Sequence, residues 1–190
     1  TDDPALMARM ILLSGSYMLY PRHLAGPAPA QFEGLKYDTP NVSGRMDNLR
    51  AAILRPQIAT LPDRIARWNA LYARVEAGLA ATPGLRLIPR PQAEAYVGSS
   101  FQFLLPGWEA ARIEALVARA AARGVELKWF GAPEPAGFTS RYDSWRYAPG
   151  PRLARTDRVL AGLLDLRLPL TFTLADADQI ARIIDAEARR

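Results

Sequence analysis

VGSSFQFLLPGWEAARIEALVARAAARGVELKWF, residues 97–130, changes its apolar period twice, and those two changes decide the fold. Val97, Ser99, Phe101, Phe103 and Leu105 occupy alternate positions, as in a strand that buries one face. Over 108–123 the period lengthens: Ile113, Leu116, Val117 and Ala120 form one helical stripe, while Arg112, Glu114, Arg119 and Arg123 lie elsewhere. Gly124 is the residue type favoured just past a helix end. Val125, Leu127 and Trp129 then return to period two. Strand, helix and strand in so short a span predict a small α+β domain with helices packed on a sheet.

Working outward, Leu85 and Leu87 predict a strand ahead of this block, and Pro83-Gly84 ends the helix before it. That helix is expected over 62–80, with Pro62 in its first turn and Ile65, Trp68, Tyr72, Val75 and Leu79 on one face. Downstream, a helix is expected over 153–164, a short strand over 166–168 and a last helix over 174–187. Thr173 and Asp176 resemble the capping box that opens such a helix. Nearer the N-terminus the expectation is an apolar helix over 3–13, a long connection rich in Gly, Pro and Tyr over 14–44, and a helix over 46–55. The organisation predicted is therefore 1–60, a connecting helix over 61–81, and a small domain over 82–190. Residues 1–60 offer apolar faces but no strands of their own, so they are expected to pack on chain outside this sequence or on another subunit.

The chain has 190 residues, of which 49% are hydrophobic and 23% charged, a balance that excludes disordered, collagen-like and coiled-coil descriptions. No apolar run reaches the roughly 18 residues of a membrane-spanning helix. The start, TDDPALMARM, carries acids where a secretion signal carries basic residues, so a cytoplasmic location is expected and no membrane role. Without cysteine and with one histidine, His23, the chain has no disulfide framework, no metal site and no Cys/His hydrolase chemistry to offer. The net charge of +5 suggests nucleic acid, but 22 of the 24 basic residues are arginines scattered from Arg9 to Arg190 without a run of three. No nucleic-acid partner is expected.

Three groups of residues could carry chemistry. Asn41-Val42-Ser43-Gly44-Arg45 stands directly before a predicted helix, whose free N–H groups and positive dipole end suit a phosphate. Asn41, Ser43 and Arg45 would add side-chain donors; the alternative is that Asn41 or Ser43 only caps the helix. The loop over 129–149 interleaves Trp129, Phe130, Phe138, Tyr142, Trp145 and Tyr147 with Arg141, Asp143 and Arg146. Aromatics beside arginines can stack on a ring and hold an anion, which makes Trp129, Phe130, Arg141 and Tyr142 candidate substrate-binding residues; the alternative is that the aromatics anchor the loop. The third possibility is Schiff-base chemistry at one of the two lysines. Lys36 lies in the polar stretch FEGLKYD, and Lys128 alternates with inward-facing Leu127 and Trp129, so both are expected at the surface. His23 has no carboxylate at a spacing that would orient it as a base.

In order and spacing, TDDPALMARM, PNVSGRMDNLRAAILRPQI, LPDRIARWNALYARVEAGLAATPGL, ARGVELKWF and LLDLRLPLTFTLADADQIARII resemble the DegT/DnrJ/StrS aminotransferases. The most specific parts are the block Arg45 to Ala52 followed by Gln57, and then Leu168 to Thr171. The resemblance implies the C-terminal half of a fold-type-I pyridoxal 5′-phosphate enzyme, with an antiparallel-type sheet and helices packed on it: 1–60 as the tail of the large cofactor-binding domain, 61–81 as the connecting helix, and 82–190 as the small α+β domain. It implies that the Schiff-base lysine lies upstream of Thr1, in about 200 further residues at ordinary domain sizes. It also implies a homodimer, a sugar substrate and an amino-acid donor, glutamate foremost. Family members carry Asn two residues before the matching Arg, where it reaches the cofactor phosphate of the other subunit. Here that position is Ser43 and Asn41 stands four before Arg45, so either Asn41 takes the role or Ser43 donates. Trp129-Phe130 replaces the common His-Tyr pair, which implies a different substrate wall. The alternatives are a sugar dehydratase of the same fold, its lysine replaced, and a non-catalytic α+β binding module.

Overall fold

The computed structural model describes residues 1–16, 18–22, 24, 26–40, 42, 48–134 and 141–190. They form two compact units, one of residues 1–47 and 132–154, the other of 48–131 and 155–190. The 132–154 segment, which the sequence reading places within the small domain, thus groups with the N-terminal segment.

The first unit is built on α1 (Pro4–Ile11). Asp3 caps it, its carboxylate accepting from the Ala5 and Leu6 N–H groups at 2.9 and 3.2 Å, which satisfies donors that have no partner inside the helix. Ala8 and Ile11 are buried with Leu12, Met18, Tyr20 and Phe32, and Met7, Leu35 and Trp145 pack around them. Tyr20 stacks on Phe32 with ring centroids 4.3 Å apart. The chain after α1 therefore covers one side of the helix that the sequence reading leaves without a partner. Leu6, Met10 and Leu13 stay exposed.

The second unit opens with α2 (Asn48–Ala59) and α3 (Leu61–Leu79), followed by β1 (Arg86–Leu87), β2 (Ser100–Leu104), α4 (Ala110–Ala122), β3 (Leu127–Trp129), α5 (Ala154–Ala161), β4 (Leu163–Arg167) and α6 (Leu174–Ala188). The sheet is antiparallel throughout, in the order β1-β2-β4-β3. Its register lines up two apolar rows, Phe101–Leu166–Leu127 and Phe103–Leu164–Trp129, and every member of both is buried. Helices α3, α4 and α6 pack over the unit, α3 along α6 and against β2, and α4 against α6 and β3. The predicted mixed helix and antiparallel-sheet class is what the chain adopts.

Local chemistry explains the ends of these elements. Gly124, at φ +83°, takes the left-handed conformation that terminates α4 without a Cβ penalty. The Thr173–Asp176 capping box is present in both directions: the Asp176 N–H donates to Thr173 Oγ1 at 3.2 Å, and the Thr173 N–H to Asp176 Oδ2 at 2.8 Å. Val97 and Ser99 alternate in sequence but lie ahead of β2; the Ser99 carbonyl still accepts from the Leu168 N–H at 3.0 Å, whereas Asn69 on α3 takes the backbone neighbours of Val97. Its Oδ1 accepts from the Gly98 N–H at 2.8 Å and its Nδ2 donates to the Tyr96 carbonyl at 3.1 Å. A ladder needs those groups free.

One carboxylate is wholly buried. Glu187 on α6 accepts from Arg119 and Arg123 on α4, both at 2.9 Å, and pairs with Arg190 at 3.2 Å. The Arg123 hydrogen bond, with Arg119 beside it, holds the Glu187 carboxyl below the usual carboxylate range although burial pulls the other way. Breaking such a pair leaves unmatched charge, so this cluster fixes α4 against α6.

Candidate functional site

The constellation richest in polar side chains lies in the first unit, where the 141–152 segment is clamped against 34–38. Arg146 makes the clamp: its guanidinium engages both oxygens of Asp38 and donates to the Gly34 carbonyl at 2.6 Å, while its backbone N–H donates to the Tyr37 carbonyl at 3.1 Å. The bidentate fork is the geometry in which arginine binds a carboxylate most strongly. Hydrogen bonding to Arg146 keeps the Asp38 carboxyl below its ordinary range. Trp145 adds an aromatic contact, its ring 6.3 Å from that of Tyr37 and 5.7 Å from that of Tyr147.

Beside the clamp is an open pocket of about 530 Å³ lined by Tyr37, Glu134, Arg141, Asp143, Ser144 and Arg152. Asp143 is its centre. Arg141 holds it with two parallel bonds of 2.9 and 3.0 Å, and Arg152 donates to the same carboxylate from the other side. The Tyr37 hydroxyl donates to Glu134 at 2.7 Å. Arg141 foremost, and Arg152 after it, keep Asp143 ionised well below the usual carboxylate range, while burial and the Glu134 bond raise Tyr37, which therefore keeps its proton.

Of the residues singled out in the sequence, Arg141 lines this pocket. Tyr142 is half-buried, its hydroxyl accepting from the Leu153 N–H at 2.7 Å. Trp129 and Phe130 belong to the other unit. Trp129 is a core residue of the sheet whose indole N–H donates to the Ala161 carbonyl at 2.8 Å, and Phe130 continues that edge, its N–H donating to the Leu163 carbonyl at 3.0 Å. Asn41, Ser43, Arg45, His23 and Phe138 lie outside the described residues. Tyr37, Glu134, Ser144 and Arg152 escape the sequence reading because no local spacing links them; a tyrosine bonds to a carboxylate 97 positions away.

Lys36 lacks the setting of a Schiff-base nucleophile, which must lose its proton near neutral pH. Burial alone would lower Lys36, but the 2.9 Å pairing with Glu33, aided by Tyr20 and Tyr37, outweighs it and lifts the amine above the ordinary lysine range. Lys128 is half-buried in β3, on the sheet face opposite Leu127 and Trp129, in register with Asp165 of β4. The Glu33 pairing of Lys36 does not fit covalent attachment of a pyridoxal cofactor at that residue. No described helix is long and apolar enough to cross a membrane.

The chain is similar to solved structures of about twice its length. It shares 20% identity with the aminotransferase TlmJ from Streptoalloteichus hindustanus, covering 98% of this chain and 46% of that one with a TM-score of 0.62. It shares 23% identity with S. venezuelae DesV, solved in complex with a ketimine intermediate, over 100% and 46% of the two chains with a TM-score of 0.60. DesI, solved in the presence of its TDP-sugar product, is 19% identical over 92% and 42%, with a TM-score of 0.63. The likenesses show a shared fold, that of the C-terminal part of a fold-type-I aminotransferase, and this chain spans less than half of each relative. No curated protein matches it. The sequence profile of one family matches residues 1–186, nearly the whole length, and the chain belongs to that family, the DegT/DnrJ/EryC1/StrS aminotransferases.

Proposed function

We propose that the chain is the C-terminal part of a pyridoxal 5′-phosphate-dependent aminotransferase that passes an amino group from glutamate to a keto-sugar or nucleotide-linked keto-sugar. The observation that carries this reading is the family match over residues 1–186. The names of two similar structures support the chemistry, one holding a ketimine intermediate and the other a TDP-sugar product. The cofactor, when bound, supplies the electron sink that lets an amino group move between carbon skeletons. The lysine that carries it belongs to the other half of the enzyme, a reading supported by the pairing of Lys36 with Glu33. Either Asn41 or Ser43, together with Arg45, holds the cofactor phosphate of a neighbouring subunit in a homodimer, and Arg141 with Tyr142 forms part of the substrate wall.

The direct test is the visible absorption of bound cofactor in the full-length protein. Glutamate should bleach it and a keto-sugar should restore it; failure to bind the cofactor, or indifference to every amino donor, would refute the assignment. The phosphate contact has its own test. Asn41→Ala or Ser43→Ala should weaken cofactor affinity about ten-fold, which is about 1.4 kcal/mol, without loss of thermal stability. A residue that only caps the following helix would instead lower stability by about 1 kcal/mol and leave cofactor affinity unchanged. Measuring both quantities separates the two roles.

A further inference from the structure

We propose that the pocket around Asp143 binds the neutral, hydroxyl-bearing ring of the sugar substrate and rejects its phosphate groups. The inference rests on the sugar reading above and adds which end of the substrate this pocket receives. Its basis is charge and hydrogen-bond inventory. Among the described lining residues, Arg141 and Arg152 contribute two positive charges and Glu134 and Asp143 two negative ones, and their sum is zero. The arginines are not arranged to receive an anion, because both donate to Asp143, which Arg141 grips with two bonds. Two other described cations of this unit are matched in the same way, Lys36 by Glu33 and Arg146 by Asp38. A phosphate entering here would displace a carboxylate from a guanidinium and then face two carboxylates at close range, which like charges resist.

Hydroxyl groups meet the opposite reception. An ionised carboxylate has about four lone-pair positions, and Tyr37 occupies one on Glu134, leaving acceptors for the O–H donors of a polyol. Ser144 in the lining can both donate and accept. The volume, about 530 Å³, lies within the roughly 300–1,000 Å³ of small-molecule sites. The depressed Asp143 carboxyl and the proton-retaining Tyr37 keep this inventory constant through the neutral range.

The test uses full-length protein and two probes, methyl α-D-glucopyranoside for the neutral ring and inorganic pyrophosphate for the anion, followed by saturation-transfer proton NMR and by phosphorus line width. Wild type should bind the glycoside with little dependence on salt. Asp143→Asn, which leaves two arginines without their shared carboxylate, should weaken the glycoside at least ten-fold and create a salt-sensitive pyrophosphate site. Glu134→Gln, a milder change that can still accept from Tyr37, should weaken the glycoside at least three-fold and supplies the answer if Asp143→Asn fails to fold. Glycoside binding unaltered in the variants would overturn the proposal, and so would wild-type pyrophosphate binding abolished by Arg152→Ala. Glutamate bleaching of the cofactor is read separately from glycoside binding. Bleaching without a glycoside response defeats the pocket assignment alone, and a glycoside response without bleaching defeats the enzyme assignment alone.

Discussion

Phe103→Ala should destabilise the second unit by about 3–5 kcal/mol, the usual range for truncating a buried phenylalanine. Phe103 is fully buried in the middle of β2, and its register neighbours Leu87 and Leu164 flank it on either side. Phe101 lies 6.3 Å away, centroid to centroid, on the same face. Both neighbouring strands are fixed by their own hydrogen bonds, so the space left by the ring cannot collapse, and the lost contacts add to the lost burial. Urea unfolding of the full chain, followed by the fluorescence of Trp68 and Trp129, reads the change. Both indoles belong to this unit, and both donate to its backbone, Trp68 to the Leu168 carbonyl and Trp129 to the Ala161 carbonyl. A loss below about 1 kcal/mol would mean that the row is packed far more loosely than its burial indicates.

Gly162→Ala should cost about 1–3 kcal/mol by the opposite route, overfilling. A Cβ on Gly162 would stand 2.8 Å from the carbonyl oxygen and 3.2 Å from the carbonyl carbon of Leu105. Those are backbone atoms, and the two residues are already joined by the hydrogen bond from the Leu105 N–H to the Gly162 carbonyl at 2.8 Å. Relief therefore requires β2 and β4 to separate where they first meet. Gly34→Ala, where a new Cβ would meet nothing within 4 Å, should leave the stability of the first unit, to which Gly34 belongs and which Trp145 fluorescence reports, within about 0.5 kcal/mol of wild type. Equal effects at the two sites would refute the steric argument.

Gly162 also marks where sequence reading and structure part. Residues 159–168 read VLAGLLDLRL, an apolar run that serves helix and strand periods alike, and the expectation carries a helix to 164 and opens the strand at 166. In the structure α5 stops at Ala161 and β4 opens at Leu163, because pairing with β2 and β3 wins over local preference. Where period is unambiguous, as along α4 and β3, the residues alone suffice. The same contrast runs through the candidate site. Arg141 is visible as an arginine among aromatics, but Asp38 meets Arg146 across 108 positions of chain, and such meetings are decided by folding and leave no local trace.

The strand order has a kinetic consequence. β4 is the last strand in the chain yet lies second from one edge, and among the described residues it is the only partner of β3 and the only partner of β2 besides the two-residue β1. Neither buried row can assemble before residues 163–167 arrive, however early α3 and α4 have formed. A ribosome making this chain would hold β3 unpaired, and β2 paired with β1 alone, until residues 163–167 emerge, the state in which strand edges are most open to misassociation. Pulse-labelled hydrogen exchange during refolding should therefore protect the amides of β2 and β3 in one step with those of β4; protection of β3 ahead of β4 would contradict it.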